Sequence, residues 1–361
     1  MSGMVNRAAC VLTLMIASGG TPAATNLVIG LLLPQNEPLS LSLRQGVELG
    51  VEEYQASNGC AAKLIVRGAV GNWGTDGVEA ARLVTDDGAQ GLIAPPNGAA
   101  SHLALQIAGR TAVPVISLCG DSSVTQTGVP WTVRVAPRTL EEATAIFSRC
   151  RSTTQRWVAC VPEERRGREI VSDLNQAART AEVLLTHTIE VKWPIANLAE
   201  FCNRLLTNGP DGILIWLDPL PAASIVRGLK SAGFNGQLGG AGWLRCPEFE
   251  TAAGPATEDF MIASPARPKS PDPRLAQFVT SFRARFGREP DAMSQTSYDA
   301  AQVLLEILNR ARERPAHEFF PITFGFSGVT GVLSFDELGN RKVVLEVQKG
   351  HGGSFGGSTR F

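Results

Sequence analysis

GLIAPPNGAASHLALQIAGRTAVPVISLCGDSS, from Gly91 to Ser123, reads as one strand–helix–strand unit. Gly91–Ala94 is a short apolar run, broken by Pro95, Pro96, Asn97 and Gly98. Ala99–Arg110 places Leu103 and Ile107 at helical spacing, and Ala112–Leu118 is a second apolar, β-branched run closed by Cys119-Gly-Asp-Ser-Ser. A helix between two buried strands implies a parallel crossover, with the loops after both strands at one edge of the sheet. Ligands of open α/β sheets sit at that carboxyl edge. The loops Pro95–Ser101 and Cys119–Ser123 offer backbone N–H groups and short polar side chains near a helix N-terminus, which suits an anionic or polar small molecule. Ordinary βα turns share this composition, so the rest of the chain must decide.

The same alternation extends both ways. Leu27–Leu33 is a buried strand, and Leu39–Ser57 carries Leu43, Val47, Val51 and Tyr54 along one helical face, stopped by Asn58-Gly59. Lys63–Val70 is a strand, Thr75–Asp87 a helix and Trp131–Val135 another strand. The pattern then restarts. Helices at Leu140–Cys150, Arg165–Thr180, Asn197–Leu206 and Ala222–Ala232 alternate with strands at Trp157–Val161, Val183–Val191, Gly212–Leu217 and Gln237–Gly240. Repeated β–α units imply parallel sheets covered by helices, and the break near Val135–Leu140 implies two lobes. The tail differs: a strand at Asp259–Ala263, a Pro-rich crossing at Ala266–Pro273, and helices at Pro273–Phe286 and Ala292–Arg312. Gly331–Asp336 and Lys342–Gln348 read as a β-hairpin turning at Asp-Glu-Leu-Gly-Asn, and Gly350–Phe361 as a disordered Gly/Ser tail.

The 361 residues suffice for two domains, and a formal net charge of -1 gives no electrostatic case for nucleic acid or an anionic membrane. Arg7, the apolar run Ala8–Ala17 and the small residues of Thr21-Pro-Ala-Ala24 form an export signal, with cleavage expected near Ala23 or Ala24. The mature chain is therefore expected to be soluble and exported. It keeps six cysteines, Cys60, Cys119, Cys150, Cys160, Cys202 and Cys246, whose pairing the sequence does not choose. No nucleotide-loop, zinc-protease or nucleophile-elbow motif is present, and no cofactor or metal is called for. Gly68, Gly71 and Gly74 lack the dinucleotide-binding spacing and read as turn glycines.

Several segments together resemble the periplasmic substrate-binding proteins of ABC transporters, in the branched-chain amino-acid (leucine/isoleucine/valine-binding) family. They are IGLLLPQ (29–35), RQGVELGVEEYQASNG (44–59), AARLVTDDGAQGLIAP (80–95), VPVIS (113–117), SYDAAQVLLEIL (297–308) and GVTGVLSFDELGN (328–340). The resemblance implies a type I periplasmic-binding fold of class α/β: two Rossmann-like lobes with parallel sheets, joined by three crossing segments and closing on a ligand. Lobe 1 would hold 25–136 and 266–326, and lobe 2 137–265 and 327–349, after a signal peptide at 1–24 and before a disordered 350–361. The crossings would be Val135–Pro137, Ala263–Ala266 and Phe326–Thr330.

By position, the resemblance assigns ligand contacts to Gly98, Ala99, Ala100 and Ser101, and to Cys119, Gly120 and Asp121. An aromatic frequent after the first strand falls at Leu39. A second-lobe tyrosine falls at Arg166, which points to an acidic group on the ligand. The acid that takes an amino group falls near Gly242, where no carboxylate stands. Asp218 and Trp243 occupy further pocket-facing positions. Asp121 has two candidate roles, capping the turn at Ser122 or holding a cationic ligand group. The expected function is capture of a small polar, carboxylate-bearing metabolite by a monomer that delivers it to an ABC permease. A periplasmic sensor of the same fold is the alternative. A periplasmic enzyme lacks a nucleophile–base or metal constellation.

Overall fold

The structure, a computed structural model, describes residues 26–33, 39–68, 74–153, 155–266, 271–312 and 314–355. The expected signal peptide, the loop Pro34–Pro38, Gly71, Trp73 and the end of the tail from residue 356 lie outside the described residues.

The first lobe is built from β1 (Leu27–Leu32), α1 (Ser40–Asn58), β2 (Ala62–Arg67), α2 (Thr75–Thr85), β3 (Gly91–Ala94), α3 (Gly98–Thr111), β4 (Val115–Ser117) and β5 (Thr132–Arg134). The second follows as α4 (Thr139–Cys150), β6 (Arg156–Pro162), α5 (Glu164–Ala181), β7 (Leu184–Val191), α6 (Leu198–Leu206), β8 (Gly212–Ile215), α7 (Pro219–Ser231), β9 (Gln237–Gly240), α8 (Pro247–Ala253) and β10 (Met261–Pro265). The chain returns to lobe 1 with α9 (Pro273–Phe286), α10 (Ala292–Arg310), β11 (Phe326–Gly328) and β12 (Gly331–Leu333). It ends in lobe 2 with β13 (Leu345–His351) and β14 (Ser354–Phe355).

Lobe 1 has a five-stranded parallel sheet ordered β2-β1-β3-β4-β5, and the parallel strands of lobe 2 repeat that order as β7-β6-β8-β9-β10. Strand order reverses between β1 and β3 and again between β6 and β8, so each lobe opens a crevice at its carboxyl edge. The strands are apolar on both faces because helices cover both: Ile29, Leu31, Leu92, Ile93, Val158 and Ile213 are all buried. Helix α1 lies tight against α10 because Gly46 and Gly50 face it; a Cβ at Gly46 would stand 2.1 Å from Ser297 Oγ. Asp291 caps α10 reciprocally with Ser294, each side chain bonding the other's backbone N–H at 2.8 Å.

Four expectations about the chain's end are corrected. Gly331–Leu333 pairs with Phe326–Gly328, and Leu345–His351 pairs antiparallel with β10, so the two expected runs meet as a hairpin only beside the turn, where Lys342 N–H donates to Ser334 O at 2.7 Å. The Asp336–Asn340 turn is present, held by Asp336 N–H to Asn340 O at 2.9 Å and a single bridge between Phe335 and Arg341. The third crossing is not Phe326–Thr330. Leu333 and Phe335 bury their side chains in the lobe 1 core, so the chain leaves that lobe only after Arg341, and 327–341 belongs with lobe 1. The sheet of lobe 2 is mixed rather than wholly parallel, because β13 and β14 add antiparallel strands at its edge. Residues 350–355 are ordered, because Phe355 is buried against Phe249 and Phe260, and Gly352 and Gly353 supply the positive-φ turn that brings it there.

The crossing segments are tied to one another. Arg134 N–H donates to Gly339 O at 2.8 Å, and Ala266 N–H to Val344 O at 2.8 Å. Buried Arg341 donates to Val135 O at 3.2 Å and to Thr330 O at 2.8 Å. Asp299, wholly buried on α10, accepts the Val329 and Thr330 N–H groups at 2.8 and 2.9 Å and the Thr330 hydroxyl.

Candidate ligand-binding cleft

The loops after β3 and β4 of lobe 1 face those after β6, β8 and β9 of lobe 2. Between them lie two connected spaces: an outer pocket of about 40 Å³ and, toward the crossing segments, a chamber of about 310 Å³. Leu39, Gly98, Cys119, Gly120, Asp121, Arg166, Asp218 and Trp243 all line the outer pocket. Gly242 lines the inner chamber, which shares Gly120 and Trp243 with the pocket.

Three expected contacts are not at either wall. Ala99, Ala100 and Ser101 follow Gly98 into the helix; Ala100 and Ser101 turn inward and are buried, and the Ser101 hydroxyl donates to Pro95 O at 2.8 Å. The polar loop was expected to run on to Ser101 over a helix starting at Ala99, whereas the helix begins at Gly98, capped by the Asn97 side chain on Ala100 N–H at 3.1 Å. A Cβ at Gly98 would lie 2.3 Å from Glu169 Oε2, so that carboxylate of lobe 2 closes over the α3 terminus.

Asp121 adopts the capping role. It accepts Ser123 N–H at 2.9 Å at the start of a 3₁₀ turn and also takes the Ser123 hydroxyl, while His102 Nε2 stands 3.4 Å away. Burial alone raises its pKa, but His102 and the two Ser123 donors outweigh burial and lower it, keeping the carboxylate ionised. Cys119 is a buried thiol pushed up to about 12 by desolvation first and Asp121 second, which makes it unreactive. All six described cysteines are buried and unpaired.

The lobes already touch across the cleft. Thr139 N–H donates to Gly120 O at 2.9 Å, and Ser122 N–H to Asp173 at 3.2 Å. Within lobe 2, Arg166 donates to Asp218 at 2.9 Å, with about a third of each side chain exposed to the pocket. The Trp243 indole N–H donates to Leu217 O at 3.1 Å, and its ring meets Trp216 edge-on at 6.1 Å. This fixes Trp243 as a wall common to both spaces.

Thr139, Glu142, Glu169 and Met293 are among the lining residues that escaped the sequence reading. Glu142 is the most consequential. It sits on the inner side of α4, buried, and accepts Gly242 N–H at 3.3 Å. Desolvation pushes its pKa from the ordinary 4.5 up to about 8 against that hydrogen bond, with Glu141 adding a smaller rise. The segment TLEEATAIF offers no signal for this, because an acid in the first turn of a helix is ordinary near the positive end of its dipole.

A family model described as periplasmic binding protein matches residues 27–320, and the chain belongs to that family. Solved structures share its fold. A leucine-binding protein from Thermotoga maritima is 21% identical over 91% of this chain and 96% of its own, with a TM-score of 0.79. A branched-chain amino-acid transporter substrate-binding protein from Streptococcus pneumoniae, holding isoleucine, is 16% identical over 92% of this chain and 98% of its own, also at 0.79. An ABC-transporter solute-binding protein from R. palustris, holding benzoate, is 18% identical over 91% and 94%, at 0.80. None of the curated proteins matches the chain. The fold is the type I periplasmic-binding fold, and the family binds ligands rather than transforming them. No helix among the described residues is long and apolar enough to cross a membrane.

Proposed function

We propose that this chain is the exported binding component of an ABC uptake transporter and captures a small carboxylate-bearing metabolite between its lobes. The observation that supports this best is that α3's N-terminus and Arg166 line the same outer pocket, where the Glu169 carboxylate already stands against that terminus. The first N–H groups of α3 have no intrahelical acceptor, and the helix dipole favours negative charge there. Arg166 is the cation within reach, held against Asp218 in a part-exposed pair that a ligand carboxylate can replace. Gly98, Cys119, Gly120, Leu39, Asp218 and Trp243 then complete the contact surface. The structures of this fold that hold isoleucine, benzoate and 4-hydroxybenzoate all hold carboxylates. Closure of the lobes about the tied crossing segments, delivery to a permease in the inner membrane, a monomeric state and processing near Ala24 belong to the same proposal.

Calorimetric titration with a panel of small aliphatic and aromatic carboxylates tests the reading, with solution scattering on any ligand that binds. A saturable carboxylate that lowers the radius of gyration is expected. Absence of any carboxylate ligand across the panel would overturn it.

A further inference from the structure

The positive end of α3 is already met by an acid of the protein itself. Asn97 takes two of the helix's early N–H groups, Ala100 N–H on its side chain at 3.1 Å and Ser101 N–H on its carbonyl at 2.9 Å. The N–H groups of Gly98 and Ala99, the first two of α3, have no acceptor among the described residues. Glu169, on α5 of the facing lobe, brings Oε2 to that point, 2.3 Å from the Cβ position of Gly98. Its other oxygen accepts Arg165 Nε at 2.7 Å. Asp121 Oδ2 lies 3.1 Å from the same Cβ position, but that carboxylate is engaged by Ser123 and His102. Glu169 is thus seated where an anion is favoured, with 16% of its side chain exposed. With it in place the outer pocket keeps about 40 Å³, room for a few waters.

We infer that Glu169 is an internal stand-in for the ligand's carboxylate: a plug from lobe 2 that fills the α3 seat in the empty protein and is displaced when a ligand anion is held there. This rests on the outer-pocket reading and adds a competitor to it. Two features suit Glu169 to leaving. Neither Gly98 nor Ala99 holds it by a hydrogen bond among the described residues, so its bond to Arg165 is the one that keeps it in place. Arg165 is itself 47% exposed and stands one turn from Glu169 on the same helix, so the pair turns toward solvent without being broken. The plug also selects. An anion that bonds both free N–H groups and reaches Arg166 holds the seat better than Glu169 does, because Glu169 makes neither contact. A neutral molecule has no such advantage and finds the seat filled.

Benzoate is the probe, and two variants of Glu169 separate occupancy from charge. Glu169→Gln keeps the length of the side chain and removes its charge, whereas Glu169→Asp keeps the charge and withdraws it by one methylene. Calorimetry should show each variant binding benzoate about 10-fold more tightly than the wild type, the low end for a hydrogen bond to a charged group. Tightening in Glu169→Gln with none in Glu169→Asp would be a through-space effect of charge and would overturn the inference, as would equal affinity in all three proteins. Weaker binding in both variants would make Glu169 a ligand contact and overturn it too. A second readout needs no ligand. In amide proton–nitrogen spectra of the empty protein, the Gly98 and Ala99 signals should shift in both variants, and benzoate added to the wild type should shift them again. Signals that stay in place in the variants would overturn the plug whatever the affinities. Shifted signals with no benzoate bound by any of the three proteins would instead bring down the outer-pocket reading, and the inference with it.

Discussion

The outer pocket and the hinge-side chamber share Gly120, Thr139, Trp243 and Met293 in their walls, yet their polar groups are satisfied in opposite ways. In the outer pocket every acid has a donor: Asp121 has Ser123 and His102, Glu169 has Arg165 at 2.7 Å, and Asp218 has Arg166. In the chamber a buried acid, Glu142, accepts one long amide bond. Exposed pairs of the first kind contribute little to stability and exchange easily for a ligand. Buried groups of the second kind cost stability until something meets them.

The largest expected effect lies behind both spaces. Asp299→Ala leaves the Val329 and Thr330 N–H groups and the Thr330 hydroxyl without their acceptor, and should cost about 3 kcal/mol or more in denaturant unfolding. A loss under 1 kcal/mol would mean that the crossing segments do not depend on this network, as about 1 kcal/mol is a single ordinary hydrogen bond.

Next comes the exchange at the pocket. Arg166→Ala should weaken a carboxylate ligand by about 1.5–3 kcal/mol while leaving the melting point of the empty protein nearly unchanged. Full affinity in calorimetry would return Arg166 to a surface pair with Asp218.

The chamber makes a pH prediction. The unfolded state loses the Glu142 proton above about 4.5, while the folded state keeps it to about 8. Stability should therefore fall with rising pH across that window, by up to about 1.4 kcal/mol per pH unit, and level off above it. Glu142→Gln should remove this slope and stabilise the empty protein at pH 7.5. Parallel stability profiles for the two proteins would show that Glu142 is ionised in the folded state.

The smallest effect separates cap from ligand contact at Asp121. Asp121→Ala should cost about 1 kcal/mol in thermal unfolding, and Asp121→Asn close to nothing, with ligand affinity kept in the Asn variant. Affinity lost in Asp121→Asn at an unchanged melting point would assign the charge to the ligand.

Much of the cleft was legible because its polar loops follow strands at fixed places in a β–α repeat. Leu39, Gly98, Cys119–Asp121, Arg166, Asp218 and Trp243 reach one pocket because each stands at, or a turn beyond, the carboxyl end of a strand. Ala99–Ser101 failed on helix phase: within the first turn of α3, the side chains of Ala100 and Ser101 rotate away from the mouth. The third crossing failed because the apolar runs 331–336 and 342–348 look alike in sequence, and only packing assigns one to each lobe.

Alternating apolar runs, helix stops and a midpoint break were enough to imply two α/β lobes built on parallel strands, and the family resemblance alone implied that they close on one another. These are local patterns, written in neighbours along the chain. The partner of each polar group was decided only by tertiary structure. Glu142 comes to Gly242 from 100 residues away, and Arg341 to Val135 from 206. Burial, which sets the charge of one and the stiffness of the other, is a property of the packed fold and has no counterpart in residue order.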